Sequence, residues 1–398
     1  MKFKLRVNLL VKILIAIVLG ILCGQFFPIW LGRLFVTFNA LFSQFLGFLI
    51  PLIILGFVAP AIADIGKGAE KVLVATAAIA YIFTICTGIT TYFVGESIFP
   101  SLITPRDMAS DLGESHDMSP YFTVDIPALF PVMTALVLAF TLGICLAYLN
   151  KGGVLKSILD EFRDIISMTI GKVIIPLLPL YIFGIFLNMT VAGQVSTVLG
   201  AFAKIIGVIF AMHILLLVIQ YCIAGGIVKK NPFRLLATML PAYFTALGTQ
   251  SSAATIPVTL RQTVKMGVSE DIAGFTVPLC ATIHMSGSCM KIVACALALM
   301  IMEGIPFSAP MFIGFVCMLG VSIIAAPGVP GGAIMASLGL LASMLGFSEA
   351  DQALMIALYI AMDSFGTACN VTGDGSIALI VDRFFGNRRN PIPQEARM

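Results

Sequence analysis

Long apolar runs separated by short charged segments dominate the first 230 residues of the chain. A helix of about 20 apolar residues crosses the hydrocarbon core of a bilayer, so each run predicts one transmembrane helix. The predicted helices are Leu9–Phe27, Leu34–Ile62, Val72–Phe99, Ile126–Leu149, Lys172–Leu187 and Gly200–Ile227. The second is long enough to require a strong tilt or a bend near Pro51 and Pro60. A short amphipathic cytoplasmic segment, KSILDEFRD, leads to the fifth helix.

The apolar pattern breaks between Pro232 and Lys265. Two short apolar pieces flank a small polar run there, Thr249 to Ser252, and basic residues lie at both ends of the segment. A segment that enters and leaves on the same side of the membrane is a re-entrant hairpin. Backbone of that kind survives at membrane depth only where protein buries it or where it lines a cavity.

A second broken segment follows the seventh predicted helix, Ile272–Met302. Two apolar arms, FIGFVCMLGVSIIAA and AIMASLGLLASMLG, flank the run Pro327 to Gly332, and a last helix follows them. The order hairpin, helix, hairpin, helix is an inverted repeat, and paired broken segments point to a transporter site near the bilayer midplane. The alternative interpretation is two ordinary spans interrupted by glycines used in packing.

Composition supports a polytopic all-α membrane protein. Hydrophobic residues make up 59% of the chain and charged residues 11%, against about 25% charged residues in soluble domains. Lys and Arg cluster before the first predicted span and after the second, fourth, sixth and last. By the positive-inside rule both termini are cytoplasmic, as is the tail 384–398, and the acidic loop 100–124 is extracellular. Nine scattered cysteines predict neither disulfides nor a metal site.

An acidic stripe on the last helix is the main candidate for chemistry. Asp363, Thr367, Asn370 and Asp374 have spacings of four, three and four, which places them on one helix face. A charge at membrane depth costs at least about 2.5 kcal/mol unless it is compensated. The stripe therefore predicts cationic partners: an ammonium group at Asp363 and an inorganic cation at Asp374. A pair of acids near the water interface is the alternative.

Polar residues on the seventh helix form a second candidate group. His284, Ser288 and Lys291 are spaced to share a face, and Gly287 predicts local unwinding that frees carbonyls for ion coordination. Lys291 lies about mid-span, too deep for comfortable snorkelling. A buried histidine with satisfied hydrogen bonds is the structural alternative for His284.

Hairpin tips are suited to anions and small ligands. The amides at the start of a half-helix favour a carboxylate, and the carbonyl ends favour Na⁺. Ser251 and Ser252 add hydroxyl groups at the first tip, and Thr367 and Asn370 can orient a substrate carboxylate.

The chain resembles the glutamate transporter family, the dicarboxylate/amino acid:cation symporters. TQSSAATIP at the first tip, GVPGG at the second and NVTGD on the last helix carry the resemblance. It implies eight transmembrane helices, two re-entrant hairpins and a homotrimer in a bacterial cytoplasmic membrane. A scaffold of about 9–62 and 126–190 would stay fixed in lipid while a transport unit, about 72–99 and 200–383, moves as an elevator. No organic cofactor and no nucleic acid partner are implied.

The resemblance also implies site residues. Those expected to meet the substrate are Asp363, Gly366, Thr367, Asn370, Ser251, Ser252, Ser288 and Val329. One Na⁺ site is expected from Asp374 with main-chain oxygens near Cys280, His284 and Asn370, and a second from main-chain oxygens of Thr282, Ile323, Ile324 and Ala326. A third, deep site of the family would involve Tyr81 and Thr84 on the third helix.

Departures from the family pattern change the expected substrate. The arginine that acidic-substrate members place before the conserved threonine is Gly366 here, and the alternative arginine position is Gln250. Without a guanidinium, a substrate side-chain carboxylate would be buried unpaired. A dicarboxylate without an amine would face Asp363 as a like charge. We therefore predict a neutral amino acid.

Other departures affect the cations. The family motif NMDGT is HMSGS here, so Ser286 replaces a carboxylate, and Ile85 replaces a hydroxyl residue. We expect Lys291 to supply a fixed positive charge near the vacated region and to lower the number of coupled ions. Protonation of His284 is a further way to replace one of them.

These observations predict a secondary active symporter for a small neutral amino acid of the serine, threonine or alanine type, driven by a cation gradient. Two alternatives stay open: a symporter for an acidic amino acid or dicarboxylate, and a channel-like membrane protein. An enzyme is not expected, because the chain has no HExxH or GxSxG motif.

Overall fold

The computed structural model describes residues 9–65, 70–103, 118–149, 153–193, 195–324 and 331–386. The regular elements of these residues are all helices, with no strand among them. In the first half the helices are α1 Leu9–Phe26, α2 Ile29–Ile65, α3 Glu70–Leu102, α4 Val132–Leu149, α5 Val154–Thr169, α6 Ile175–Val191 and α7 Val195–Val228. In the second half they are α8 Pro232–Thr249, α9 Ser252–Lys265, α10 Glu270–Ile283, α11 Ser286–Glu303, α12 Ala309–Ile324, α13 Gly332–Leu345, α14 Glu349–Ala361 and α15 Asp363–Phe385.

Several of these helices are long and apolar enough to cross a bilayer. Among the described residues the spans of this kind are Ile29–Pro60, Lys71–Leu102, Val154–Val191, Phe202–Val228 and Glu270–Glu303. The pair α14 and α15 qualifies as a further span that is bent by 62°. Helices α12 and α13 are apolar but shorter, which suits the arms of a hairpin. The prediction of a helical, polytopic chain is confirmed.

Two predicted boundaries are wrong, and the local sequence explains both. The fourth helix begins at Val132 rather than at Ile126. Each proline disfavours helical backbone in the residue before it, and Pro127 and Pro131 lie just ahead of α4, where residues 126–131 are not helical. The fifth helix does not begin near Lys172, because α5 runs into α6 through a π-helical turn, Ile170–Ile174. The amphipathic segment is therefore the first part of one long helix.

Local capping defines the first hairpin. Asn231 caps α8 by accepting hydrogen bonds from the amides of Phe233 and Arg234. Gln250 ends the helix in the left-handed conformation, with φ 53°, and Ser251 then caps α9 by accepting from the amide of Ala254. A two-residue turn thus reverses the chain in the middle of a polar run. At the second hairpin, Ala326 and Val329 lie outside the described residues.

The two helices that carry the candidate polar residues, the seventh and the last, are both broken. The seventh helix is interrupted at His284 and Met285, and Gly287 lies within α11. The break therefore lies two to three residues before the glycine at which unwinding is predicted. Gly287 serves close packing instead, since a Cβ there would lie 2.7 Å from the carbonyl oxygen of Gly366. The last helix is not straight either, because it bends at Met362 and Asp363 is the first residue of α15.

The broken helices lie at the centre of the molecule. In α11, all residues from Ser286 to Met302 are buried, and α15 is buried over most of its length. Helices α3, α7, α8, α9 and α10 pack around them, while α1 packs against α6 and α2 against α4. Polar side chains on α11 and α15 are therefore shielded from solvent and must find partners inside the protein.

The contact between α1 and α6 provides a stability test. A Cβ at Gly20 would lie 2.7 Å from the carbonyl oxygen of Phe183, and backbone atoms cannot move aside cheaply. We expect Gly20→Ala to destabilise the protein by about 1–3 kcal/mol through overpacking. Gly47→Ala is the matched control, because nothing lies within 4 Å of a Cβ there. Thermal unfolding in detergent measures both, and equal melting temperatures for the two variants would contradict the close packing.

Candidate functional site

The carboxylate of Asp363 is already engaged within the chain. It lies at the first turn of α15, where the positive end of the helix favours an acid, and is 3% exposed. Its Oδ1 atom is 3.1 Å from Nζ of Lys291, and its Oδ2 atom accepts a hydrogen bond from the amide of Gly331 at 2.9 Å. Asp363 therefore links α11, the second hairpin and α15.

Lys291 is fully buried beside the bend between α14 and α15. Besides Asp363, its ammonium donates to the carbonyl oxygen of Met362 at 3.4 Å and lies 3.7 Å from the centroid of the Tyr359 ring. A Cβ at Gly366 would lie 2.4 Å from Cε of Lys291 and 2.5 Å from its Nζ. The lysine thus fills the space that a side chain at position 366 would need.

This placement corrects two expectations. Lys291 was expected near the region vacated at Ser286, but five residues along a helix turn the side chain by roughly 140°, and it lies beside Asp363 instead. Gly366 in place of an arginine predicts no cationic partner for a substrate side-chain carboxylate. In the structure, the ammonium of Lys291 on α11 lies in the space beside Gly366 instead.

The second acid, Asp374, is paired with His284. Nδ1 of His284 is 2.9 Å from Oδ1 of Asp374 and 3.2 Å from the carbonyl oxygen of Asn370. The other ring nitrogen, Nε2, is 2.7 Å from Oγ of Ser286 and 3.4 Å from Nε2 of Gln220. His284 lies in the helix break, so it does not share a face with Ser288 and Lys291 as predicted.

Asn370 and Ser288 hold the start of α11. The side-chain oxygen of Asn370 accepts from the amide of Gly287 at 2.8 Å, and its Nδ2 atom donates to Ser288 Oγ at 3.1 Å. Tyr359 donates its hydroxyl to the same Ser288 oxygen. The hydrogen-bonding groups of Asn370 are therefore occupied by protein in this conformation. Tyr359 gave no signal in the sequence, because an aromatic residue in an apolar helix is ordinary.

Thr367 differs from its neighbours. It is 7% exposed, yet its side chain makes no hydrogen bond to the part of the chain that the structure describes. It lies one turn after Asp363, on the same face of α15. The first hairpin reaches this turn too, because Gln250 donates to Ser364 Oγ at 2.6 Å. Ser252 is buried nearby in the chain, at the start of α9.

Several of the residues expected to form the separate Na⁺ sites bond to other parts of the protein in this structure. The carbonyl of Cys280 accepts from the amide of His284, and the hydroxyl of Thr282 is bonded to its own helix. Tyr81 donates to the carbonyl of Cys317 on α12, whereas Thr84 accepts from the amide of Met285. Ile323 is buried and Ile324 is half-buried at the end of α12.

The profile of the sodium:dicarboxylate symporter family matches residues 9–384, nearly the whole chain. The chain belongs to the sodium:dicarboxylate symporter family. This membership confirms the resemblance based on the hairpin tips and the last helix. It makes the chain a multi-pass membrane transport protein rather than an enzyme.

Proteins similar to this chain are named for the amino acids that they transport. The chain is 27% identical over 399 residues to proteins named serine/threonine transporter SstT from Acinetobacter baumannii, strains ATCC 17978 and AYE. The similarity covers 96% of this chain and 98% of each relative. This similarity over nearly the full length of both chains supports the symport of amino acids.

Proposed function

We propose that this symporter imports a small neutral amino acid of the serine, threonine or alanine type, coupled to Na⁺. One observation carries the proposal: Asp363 is paired with Lys291 inside the chain. The pair gives the site no net charge before substrate arrives. A zwitterion adds none, whereas a dicarboxylate would bury an excess of negative charge. The names of the relatives agree with this substrate class.

The cation stoichiometry is proposed to be low. His284 covers one carboxylate oxygen of Asp374, the acid expected to bind Na⁺. Ser286 stands where the family pattern has a second carboxylate. With fewer free anionic ligands, fewer Na⁺ ions can be held, and a proton on His284 is the alternative coupling ion.

The transport cycle is proposed to follow the family architecture. Eight transmembrane helices and two re-entrant hairpins would form a trimer in the bacterial cytoplasmic membrane, with both termini in the cytoplasm. The packing of α1 on α6 and of α2 on α4 supports a scaffold of residues 9–62 and 126–190 against lipid. The packing of α3 and α7 to α10 around α11 and α15 supports a separate moving unit of residues 72–99 and 200–383.

An acidic amino acid is the second candidate substrate. The ammonium of Lys291 lies where a cation for a substrate side chain would be needed, over Gly366. For this substrate Lys291 would have to leave Asp363 and bind the side-chain carboxylate.

A ligand screen distinguishes these substrates. The purified full-length protein is heated with each of the 20 amino acids and with succinate, with and without Na⁺, because a ligand stabilises only the state that binds it. We expect serine, threonine or alanine to raise the melting temperature in a Na⁺-dependent manner, and uptake into liposomes to saturate. Stabilisation by aspartate alone would select the acidic substrate, and non-saturating flux would indicate a channel.

A further inference from the structure

Among the described residues, the partners of Lys291 all lie at one structural feature, the bend between α14 and α15. Asp363, Met362 and Tyr359 surround its ammonium, and each lies within five residues of the others in the chain. The lysine itself comes from α11, which is buried throughout. A buried ammonium needs a charged partner, and among the described residues Asp363 is the acid with which Lys291 forms an ion pair.

A ligand with one charge cannot replace this ion pair without loss. An amine that binds Asp363 displaces Lys291 and leaves the lysine buried without a counter-charge. A carboxylate that binds Lys291 leaves Asp363 in the same position. Either arrangement carries the penalty of an unpaired charge in a buried site.

An α-amino acid satisfies both residues at once. Its ammonium and carboxylate are separated by a single carbon atom, so one molecule can present both charges to a pair whose own atoms are 3.1 Å apart. The hydroxyl of Thr367, which bonds none of the described residues, lies on the face of α15 that carries Asp363 and offers a donor to the same carboxylate. Each protein charge then exchanges one partner for another.

We propose that Lys291 binds the substrate α-carboxylate and that the Lys291–Asp363 pair recognises its substrate by this exchange of partners. The inference rests on the proposed import of a neutral amino acid and adds the residue that selects for a free α-carboxylate. The Lys291 side chain occupies the space beside Gly366, so a larger residue there would force the ammonium to shift.

Binding to the wild-type protein tests the exchange directly. Alanine carries both charges, alaninamide keeps only the ammonium, and propionate keeps only the carboxylate. We expect alanine to bind at least about 100-fold more tightly than either analogue, since each analogue leaves one buried charge unpaired. Affinities come from the concentration dependence of the melting temperature of the full-length protein in Na⁺.

Lys291→Met separates recognition from structure. The variant should lose about 100-fold in alanine affinity while alaninamide binds no worse, so the preference for alanine over alaninamide falls to within about threefold. A lysine with a purely structural role would weaken both ligands equally and keep their ratio. Lys204→Met is the matched control, because Lys204 is exposed and bonds only the carbonyl of Leu102 among described groups.

The outcomes separate the two proposals. If no neutral amino acid stabilises the wild type, the proposed function fails and the inference falls with it. If alanine binds but alaninamide or propionate binds equally well, the inference alone is overturned, even when Lys291→Met does not fold. An unchanged ratio in a folded Lys291→Met protein also overturns it.

Discussion

Asp363→Asn is expected to abolish amino acid uptake and to lower the stability of the protein at the same time. Asparagine offers no negative charge to a substrate ammonium. It also leaves the ammonium of Lys291, which is 0% exposed, without its ion-pair partner. Breaking a buried pair on one side costs about 3–5 kcal/mol. Uptake into liposomes and thermal unfolding of the same preparation measure the two effects.

A double variant distinguishes these two effects. Asp363→Asn combined with Lys291→Met removes both charges, so the melting temperature should return toward that of the wild type while uptake stays absent. Asp382→Asn, the same change at an acid further along α15 that bonds Ser269, should retain uptake. Undiminished accumulation by the folded Asp363→Asn protein would exclude Asp363 from substrate binding.

The long helices were predictable from the sequence because the membrane imposes their length. A run of apolar residues has few alternatives at that depth, so α2, α3 and α7 appear where the pattern places them. The turn of the first hairpin was equally local, since Gln250 and Ser251 end one helix and cap the next. The prolines before α4 are a local signal as well, although the apolar run that begins at Ile126 predicts an earlier start of the helix.

The ion pairs were not predictable in the same way. Lys291 and Asp363 are 72 residues apart, and His284 and Asp374 are 90 apart. Their contacts depend on the rotation of two helices and on breaks at Met362 and at residues 284–285, which the residue spacing does not encode. The sequence indicates only a missing arginine at Gly366, whereas in the structure the Lys291 side chain from another helix occupies the space beside it.

His284→Asn is expected to raise the number of Na⁺ ions coupled to each substrate molecule. The imidazole holds Oδ1 of Asp374 at 2.9 Å, so its removal exposes a buried carboxylate that needs a cation. Asparagine is the residue of the family pattern at this position and offers a carbonyl oxygen, a ligand that hard cations prefer. Reversal potentials in liposomes should show about one additional Na⁺ per substrate compared with the wild type.

The matched control for this change is His213→Asn. His213 is a buried histidine on α7 whose Nε2 lies 3.2 Å from the carbonyl of Gly287. Because no ion pair joins it to an acid among the described residues, its loss should leave the stoichiometry unchanged. Three Na⁺ ions per substrate in the wild type would show that His284 does not replace a cation. An unchanged ratio in His284→Asn would instead leave Asp374 outside the coupling site.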